Sequence, residues 1–158
     1  MQEVVIEKNG NDFINFGKAD PSGLTRQMIT ELLLKSGLWP AVRQRPYHIV
    51  AKPSEVPKAI FISGFDSAPL APDYNFIMDN TPASFFQTGI NAISKLTDGK
   101  VHLVLNGSVT PSDLLKSTSG VEISFFSGPH PAGNVGVHIH YIDPLNKGEI
   151  VWFINLQD

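Results

Sequence analysis

The sequence has no cysteine among its 158 residues. This absence excludes disulfides, catalytic thiolates, cysteine-ligated zinc and any iron–sulfur cluster held by this chain alone. Charge is also scarce: 12 Lys and Arg against 15 Asp and Glu give a formal net charge of −3. A non-specific nucleic-acid binder normally carries a basic face, so this class of protein is not expected. No stretch approaches the roughly 18 apolar residues of a membrane-spanning helix.

A glycine-rich phosphate-binding loop is also absent. The pattern G-x-G-x-x-G does not occur, and the Gly10 to Gly17-Lys18 spacing is two residues too long for a P-loop. Such loops let backbone amides approach a phosphate, so the sequence argues against autonomous dinucleotide or flavin binding.

What the sequence does contain is 42% hydrophobic residues arranged as alternating strand and helix signals. A hairpin is predicted at Asn9-Gly10. Helices are predicted from Asp20-Pro21 to Gly37 and from Thr81-Pro82 to Asp98-Gly99, with Phe86, Ile90 and Ile93 on one face of the second, and a short third helix opens at Thr110-Pro111. The predicted strands are 59–62 (AIFI), 101–105 (VHLVL), 121–126 (VEISFF), 137–142 (VHIHYI) and 149–154 (EIVWFI).

This order predicts an α/β fold: a three-layer, doubly wound, mainly parallel sheet with helices on both faces. The last two predicted strands, 137–142 and 149–154, are joined by the short turn DPLNKG. We therefore expect them to form a terminal antiparallel hairpin at one edge of the sheet.

Three loops rich in Pro and Gly are the best candidates for a binding site: 37–46 (GLWPAVRQRP), 63–73 and 128–136. In a doubly wound domain these loops can gather on one rim. Trp39 offers a flat apolar surface, and Arg43 and Arg45 offer planar donors. These residues suit a planar, carbonyl-bearing ligand or the acidic surface of a partner. The alternative is that Trp39 packs under the loop and the arginines bind helix C-terminal carbonyls.

Two further sites are weaker. On a strand, His138 and His140 would share one face, and with His130 nearby a three-histidine metal site is conceivable. Ser63, Ser67, Asp66 and the histidines can also be drawn into a hydrolase triad, but the sequence has no G-x-S-x-G elbow to support one.

The three loop segments are long and unusual enough to indicate a protein family. GLWPAVRQRP, AIFISGFDSAPLAPD and GPHPAGNVGVHIHYIDP, followed by VWFINLQD, closely resemble the A-subunit family of sodium-translocating NADH:quinone reductases. The resemblance spans nearly the whole chain, with the segments in the family's order. It implies a longer polypeptide, of which 19–158 is the central α/β domain and 1–18 the end of a preceding barrel-like domain and linker.

The resemblance also implies a fold similar to the flavin-binding domain of the NADH-oxidising subunit of respiratory complex I. Those relatives carry a glycine-rich loop after the first helix, whereas here no glycine follows Gly37 up to Pro46. This departure argues against bound flavin mononucleotide and suggests a loop rebuilt for another ligand or a protein surface.

In the family, the A-subunit is peripheral, lies on the cytoplasmic side of the inner membrane, carries no redox centre and docks on the membrane-embedded B-subunit. The complex oxidises NADH, reduces quinone and exports Na⁺. The resemblance thus implies a scaffold with a quinone site, for ubiquinone or menaquinone, and no redox centre of its own. From the residues and the charge we expect no bound cofactor or metal and no nucleic-acid partner. A pure docking module and a stand-alone flavin or nucleotide enzyme are the alternatives. The candidate quinone- or partner-binding residues are Trp39, Arg43, Arg45, Phe65, Asp66 and His130.

Overall fold

The secondary structure follows from a computed structural model that describes Val5, Glu7 and residues 10–158. Six strands form in these residues: β1 (Arg43–Arg45), β2 (Ile49–Val50), β3 (Ala59–Gly64), β4 (Lys100–Asn106), β5 (Glu122–Phe126) and β6 (Val151–Asn155). The α-helices are α1 (Arg26–Lys35), α2 (Tyr74–Met78), α3 (Ala83–Ser94), α4 (Asp113–Lys116) and α5 (Val135–Ile142). Two 3-10 turns cover Pro21–Gly23 and Trp39–Ala41.

The strands make one sheet in the order β2-β1-β6-β3-β4-β5. Strands β6, β3, β4 and β5 are parallel, whereas β1 runs antiparallel to both β6 and β2. The predicted α/β fold with a mainly parallel sheet is therefore confirmed.

Both faces of the sheet are covered, which gives three layers. Along β3, Ile60 and Ile62 pack into one apolar cluster, with side chains from α1, α3 and α4. Ala59 and Phe61 point the other way, into a second cluster with Val135 from α5. Burial on both faces explains why the central strands consist of nearly continuous apolar residues.

The first helix begins later than predicted. Asp20 accepts a hydrogen bond from the Ser22 amide and caps only the 3-10 turn at Pro21–Gly23. The α-helix starts at Arg26, where the Thr25 hydroxyl accepts from the Met28 amide at 3.3 Å. Gly37 has a φ of +76° just past the end of the helix, as predicted for a left-handed stop.

The second and third predicted helices are confirmed with shifted ends. Helix α3 directs Phe86, Ile90 and Ile93 towards the core, as its periodicity predicts, but it ends at Ser94, before Asp98-Gly99. Helix α4 begins at Asp113.

The strand predicted at 137–142 is wrong, because this segment lies in helix α5. Asn134 accepts from the Gly136 amide and caps the helix. Val135, His138, Ile139 and Ile142 follow the i, i+3, i+4, i+7 spacing of a helical face, and the first three are buried. The apparent two-residue alternation concealed this pattern.

The predicted terminal hairpin is consequently wrong as well. Strand β6 lies inside the sheet, parallel to β3. Its residues from Val151 to Ile154 are all buried, as expected of a central strand. The antiparallel hairpin at the sheet edge is instead β1–β2, within and just after the segment predicted to be a ligand loop.

The N-terminal hairpin predicted at Asn9-Gly10 falls largely outside the described residues, which omit Asn9 and most of the first arm. In the second arm, residues 11–20 are exposed and form no strand. In the part of the chain that is described, no helix is long and apolar enough to cross a membrane.

Candidate functional site at the carboxyl ends of the strands

The winding of the sheet determines where a ligand site is expected. The chain runs from β3 to β4 to β5 with α3 and α4 on one face, then crosses the other face through α5 and returns to β6. Strands β3 and β6 therefore flank a change in winding direction. In open α/β sheets, ligands bind beyond the carboxyl ends of the strands at such a point.

A cavity of about 280 Å³ lies at this end of the sheet, beyond β3 and β4 and so one strand away from the change in winding between β6 and β3. We call it the carboxyl-end crevice. Ligand pockets usually measure about 300–1,000 Å³, so it suits a single ring better than a dinucleotide. Its lining residues are Gly64, Phe65, Asp66, Ala71, Pro72, Asp73, Tyr74, Asn75, Leu105, Asn106, Val109, Pro111 and Leu115.

Local hydrogen bonds fix the entrance to the crevice. Asp73 accepts from the amides of Asn75 and Phe76 and so caps α2. The Asn75 side chain donates to the Thr110 carbonyl at 3.1 Å and accepts from the Ser112 amide at 3.0 Å. These two bonds join the start of α2 to the loop before α4, so both sides of the entrance are held together.

Two polar groups in the crevice remain available to a ligand. Neither the Tyr74 hydroxyl nor the Asn106 side-chain nitrogen has a hydrogen-bond partner among the described residues. Burial, followed by the charges of Asp66 and Asp158, raises the pKa of Tyr74. Tyr74 is therefore a neutral donor at physiological pH.

The charge of the crevice is negative. Asp66 and Asp73 are among its lining residues, whereas the lining contains no Lys, Arg or His. Apolar walls come from Phe65, Leu105 and Leu115. This combination suits a neutral ring that accepts hydrogen bonds and disfavours a phosphate.

The loop at 128–136 packs tightly against the loop that follows β3. A Cβ on Gly133 would overlap the Ser67 backbone nitrogen and would lie 2.7 Å from the Asp66 carbonyl carbon. The Gly133 amide donates to the Ser67 hydroxyl at 2.8 Å, and that hydroxyl lies 3.2 Å from His130 Nδ1. Three predicted site residues, Phe65, Asp66 and His130, are thus brought to the same end of the sheet.

His138 lies beneath these loops. It is fully buried, and its Nε2 atom lies 2.9 Å from the Ala132 carbonyl. Its ring packs near Phe65 and Phe126, with centroid separations of 6.3 and 4.8 Å. Burial lowers the pKa of His138, despite the opposing bond to Ala132, so this ring is neutral near pH 7.

The other predicted site residues lie elsewhere. Trp39 is 3% exposed, donates to the Ala51 carbonyl at 2.7 Å and packs edge-on against Trp152 at 5.5 Å. The flat surface expected of it is therefore part of the core. Arg43 donates to the His48 carbonyl within its own hairpin, not to a helix terminus, and Arg45 lies over Phe153. None of these three lines the carboxyl-end crevice.

The structure gives no support to the weaker sites. On helix α5, His138 is buried and His140 exposed, so they do not share the face that a strand would provide. The residues that the structure describes contain no group of three metal-ligating side chains. The Asp66 carboxylate accepts from the Ala68 amide, whereas the Ser67–His130 pair has no carboxylate partner among the described residues.

Sequence reasoning missed Tyr74, Asn75 and Asn106. Asn106 was identifiable, because it ends a strand whose boundaries were predicted nearly correctly, and strand ends point to the crevice. Tyr74 and Asn75 belong to a five-residue helix with no periodic apolar pattern, so no local signal indicated them.

Comparison with known proteins decides the family. A family model described as the NqrA second alpha/beta domain matches residues 24–158. The chain belongs to this family. It is 38% identical over its whole length to the A-subunit of the Na(+)-translocating NADH-quinone reductase of Photorhabdus laumondii and 40% identical to that of Vibrio parahaemolyticus. The corresponding protein of Yersinia pseudotuberculosis is 38% identical. The chain spans 35% of the length of these relatives.

Proposed function

We propose that this NqrA-type domain is part of the A-subunit of a sodium-translocating NADH:quinone reductase, where it binds a quinone head group in the carboxyl-end crevice. The whole complex would oxidise NADH, reduce quinone and export Na⁺, while this chain would hold the quinone without a redox centre of its own. The match of the whole chain to A-subunit relatives carries this proposal.

The chemistry of the crevice supports a quinone ligand. A quinone ring is planar and neutral, with two carbonyl oxygens that accept hydrogen bonds. Tyr74 and Asn106 supply donors without protein partners among the described residues, and Phe65, Leu105 and Leu115 supply the apolar wall. A site of this kind, mostly apolar with a few placed donors, is typical of small-molecule pockets.

A stand-alone flavin enzyme has less support. Flavin mononucleotide carries a phosphate, which needs backbone amides of a glycine-rich loop or a cationic side chain. The crevice has two carboxylates and no lysine, arginine or histidine in its lining. We therefore propose no flavin at this site.

A scaffold role is supported by the apolar rim of the crevice. Leu70 and Phe76 are 104% and 73% exposed, and Val109 is half-exposed at 50%. Leu70 and Phe76 are next in sequence to the lining residues Ala71 and Asn75, and Val109 is itself a lining residue. Exposed apolar side chains around a cavity are typical of protein interfaces. We propose that this rim contacts the membrane-embedded B-subunit, which would place the domain on the cytoplasmic side of the inner membrane.

The test uses the complete reductase with Asn106→Ala, and with Asn91→Ala as a matched control on the exposed surface of α3. Losing a donor to the quinone carbonyl should raise the quinone KM about 2- to 10-fold. The control should leave it unchanged, and the KM for NADH should not move in either variant. An unchanged quinone KM in Asn106→Ala would contradict the proposed ligand.

The docking-only alternative, in which the crevice never contacts quinone, is favoured by the same apolar rim. A Leu70→Asp variant distinguishes the two roles. If docking is the only role, Leu70→Asp lowers the yield of assembled complex and Asn106→Ala changes nothing. If the crevice holds quinone, Asn106→Ala changes the quinone dependence of fully assembled complex.

A further inference from the structure

Arg45 is a partly buried cation without an anionic partner in the described part of the chain. Its guanidinium carbon lies 5.5 Å from the centre of the Phe153 ring, and its Nε atom is buried without a hydrogen bond. Arg45 takes part in no ion pair found in the described residues. Burial also lowers the pKa of Arg45, so its charge carries a desolvation cost that no ion pair among the described residues offsets.

A groove of about 300 Å³ opens beside this arginine. We call it the amino-end groove. Arg45 pairs in the sheet with Val151, the first residue of β6, so the groove lies at the opposite end of that strand from the carboxyl-end crevice. Its lining residues are Arg45, Pro46, Gly136, Ile139, His140, Pro144 and Leu145.

The neighbouring carboxylates are already occupied. Asp143 and Glu149, on the turn that leads into β6, both form ion pairs with Lys58, at 2.7 and 3.0 Å. Neither carboxylate is among the lining residues of the groove. Both carboxylates are therefore engaged by Lys58, and neither forms an ion pair with Arg45.

Further hydrogen-bond donors lie near Arg45: a second arginine, Arg43, and two histidine rings. Burial and the charges of Arg45 and Arg43 lower the pKa of His48, whose ring also packs on Phe153. His140 contributes a further imidazole ring at the groove itself. In a chain of net charge −3, this local excess of donors contrasts with the acidic carboxyl-end crevice.

From this juxtaposition we infer that the amino-end groove binds a small organic anion, with its carboxylate or phosphate on Arg45 and His140. The guanidinium presents a planar fork that matches either group. The apolar body of the ligand would lie on Ile139, Leu145 and Pro46. This site is independent of the quinone proposal, because the two cavities share no lining residue.

The test is an NMR titration of the 158-residue chain with benzoate and, separately, phenyl phosphate. Benzamide serves as the neutral probe of the same shape, and inorganic phosphate as the anion without an apolar body. The Arg45 Nε–H signal and the backbone amides of Gly136 and His140 report on binding. Benzoate and phenyl phosphate distinguish a carboxylate from a phosphate ligand.

We expect saturable shifts of these three signals with at least one aromatic anion, and a weaker response to inorganic phosphate. Arg45→Gln should lower the affinity about tenfold or more, since a charge-assisted bond is lost, and Arg45→Lys should lower it less. The control variant Lys35→Gln removes a cation at the carboxyl end of α1, which does not line the groove, and should leave the affinity for the anion unchanged.

The inference is overturned if neither anion gives saturable shifts, if benzamide binds equally well, or if Arg45→Gln leaves the affinity unchanged. If Arg45→Gln does not fold, the affinity of His140→Gln and the chemical shifts of the wild-type chain decide the inference. Saturable shifts confined to residues outside the groove would equally overturn the inference. So would an unchanged affinity in His140→Gln together with an Arg45 Nε–H signal that does not shift.

Discussion

Two segments of similar composition, 37–46 and 63–73, fold in opposite ways. Both are rich in Pro and Gly and predicted as stiff ligand loops. The first is largely structural: Trp39 lies in a 3-10 turn in the core, and β1 joins the sheet. The second remains a loop and lines the carboxyl-end crevice. Composition therefore indicates stiffness but not whether a stiff segment is buried or exposed.

The difference arises from the side chains that each segment can bury. Val42 and Gln44 alternate with the arginines, so one side of the first segment faces the core. Gln44 accepts from Trp152 Nε1 at 3.2 Å and donates to Glu55 at 2.8 Å, which satisfies its amide. In the second segment, Phe65 is the last buried residue, directly after Gly64 at the end of β3. Residues 66–73 are exposed or partly exposed and form the rim.

Trp39→Ala should have the largest effect, because it removes a buried ring that packs on Trp152. We expect the free energy of unfolding to fall by about 3–5 kcal/mol, measured by urea denaturation. Tyr47→Ala in the same hairpin removes a side chain that is 81% exposed, and should change stability by less than about 0.5 kcal/mol. Equal effects of the two variants would mean that Trp39 is not a core residue.

Gly133→Ala should be next, since a Cβ there overlaps the backbone at Ser67. Overpacking of this kind costs about 1–3 kcal/mol of unfolding free energy. The control, Gly89→Ala within α3, has nothing within 4 Å of the added Cβ and should stabilise the chain by about 0.5–1 kcal/mol. A neutral Gly133→Ala would show that the two loops do not pack as described.

Stability should also fall as the pH drops from 7 to 5. Burial lowers the pKa of both His102 and His138, so the unfolded chain binds more protons below the ordinary value of 6.5. The contribution of each is fully present above pH 6.5 and is lost towards the lower folded pKa, by at most about 1.4 kcal/mol per pH unit.

His102→Leu tests this pH dependence at the end of the sheet away from the loops. Both ring nitrogens of His102 are buried without hydrogen bonds, so leucine should reduce the pH dependence with little loss of stability at pH 7. Urea denaturation at a series of pH values measures the slope. A slope identical to that of the wild type would show that His102 does not titrate with unfolding.

Tyr74→Phe should have the smallest effect, confined to ligand affinity. Losing one hydroxyl donor should weaken binding of a short-chain quinone about 2- to 10-fold, measured by calorimetry, without changing the unfolding temperature. Tyr141→Phe is the matched control, because this side chain is 73% exposed on α5. If both variants weaken binding equally, Tyr74 makes no specific contact.

Much of the fold was predictable because its strands and caps carry local signals. The runs at 59–62, 101–105 and 121–126 each correspond to a strand. The strand predicted at 137–142 was wrong because alternating His and apolar residues satisfy a strand and a helix equally, and only Asn134 and Val135 reveal the helix. The position of β6 within the sheet depends on pairing with β1 and β3, which no local pattern contains.

The candidate site was predictable only in part. Phe65 and Asp66 directly follow a buried strand, so the strand-end rule identifies them. Tyr74 and Asn106 are far apart in the sequence, and only the tertiary fold brings them to one cavity. Trp39, Arg43 and Arg45 were grouped because they are close in sequence, yet Trp39 lies in a 3-10 turn and packs in the core, whereas β1 carries the two arginines into other surroundings.

The most direct test of the quinone proposal is an NMR titration of the chain with a short-chain ubiquinone. We predict saturable shifts of the Asn106 side-chain amide and the methyl groups of Leu105 and Leu115, with the Arg45 Nε–H signal unchanged. Saturable shifts at Arg45 and not in the crevice, or no saturable shift in the crevice at all, would contradict the account.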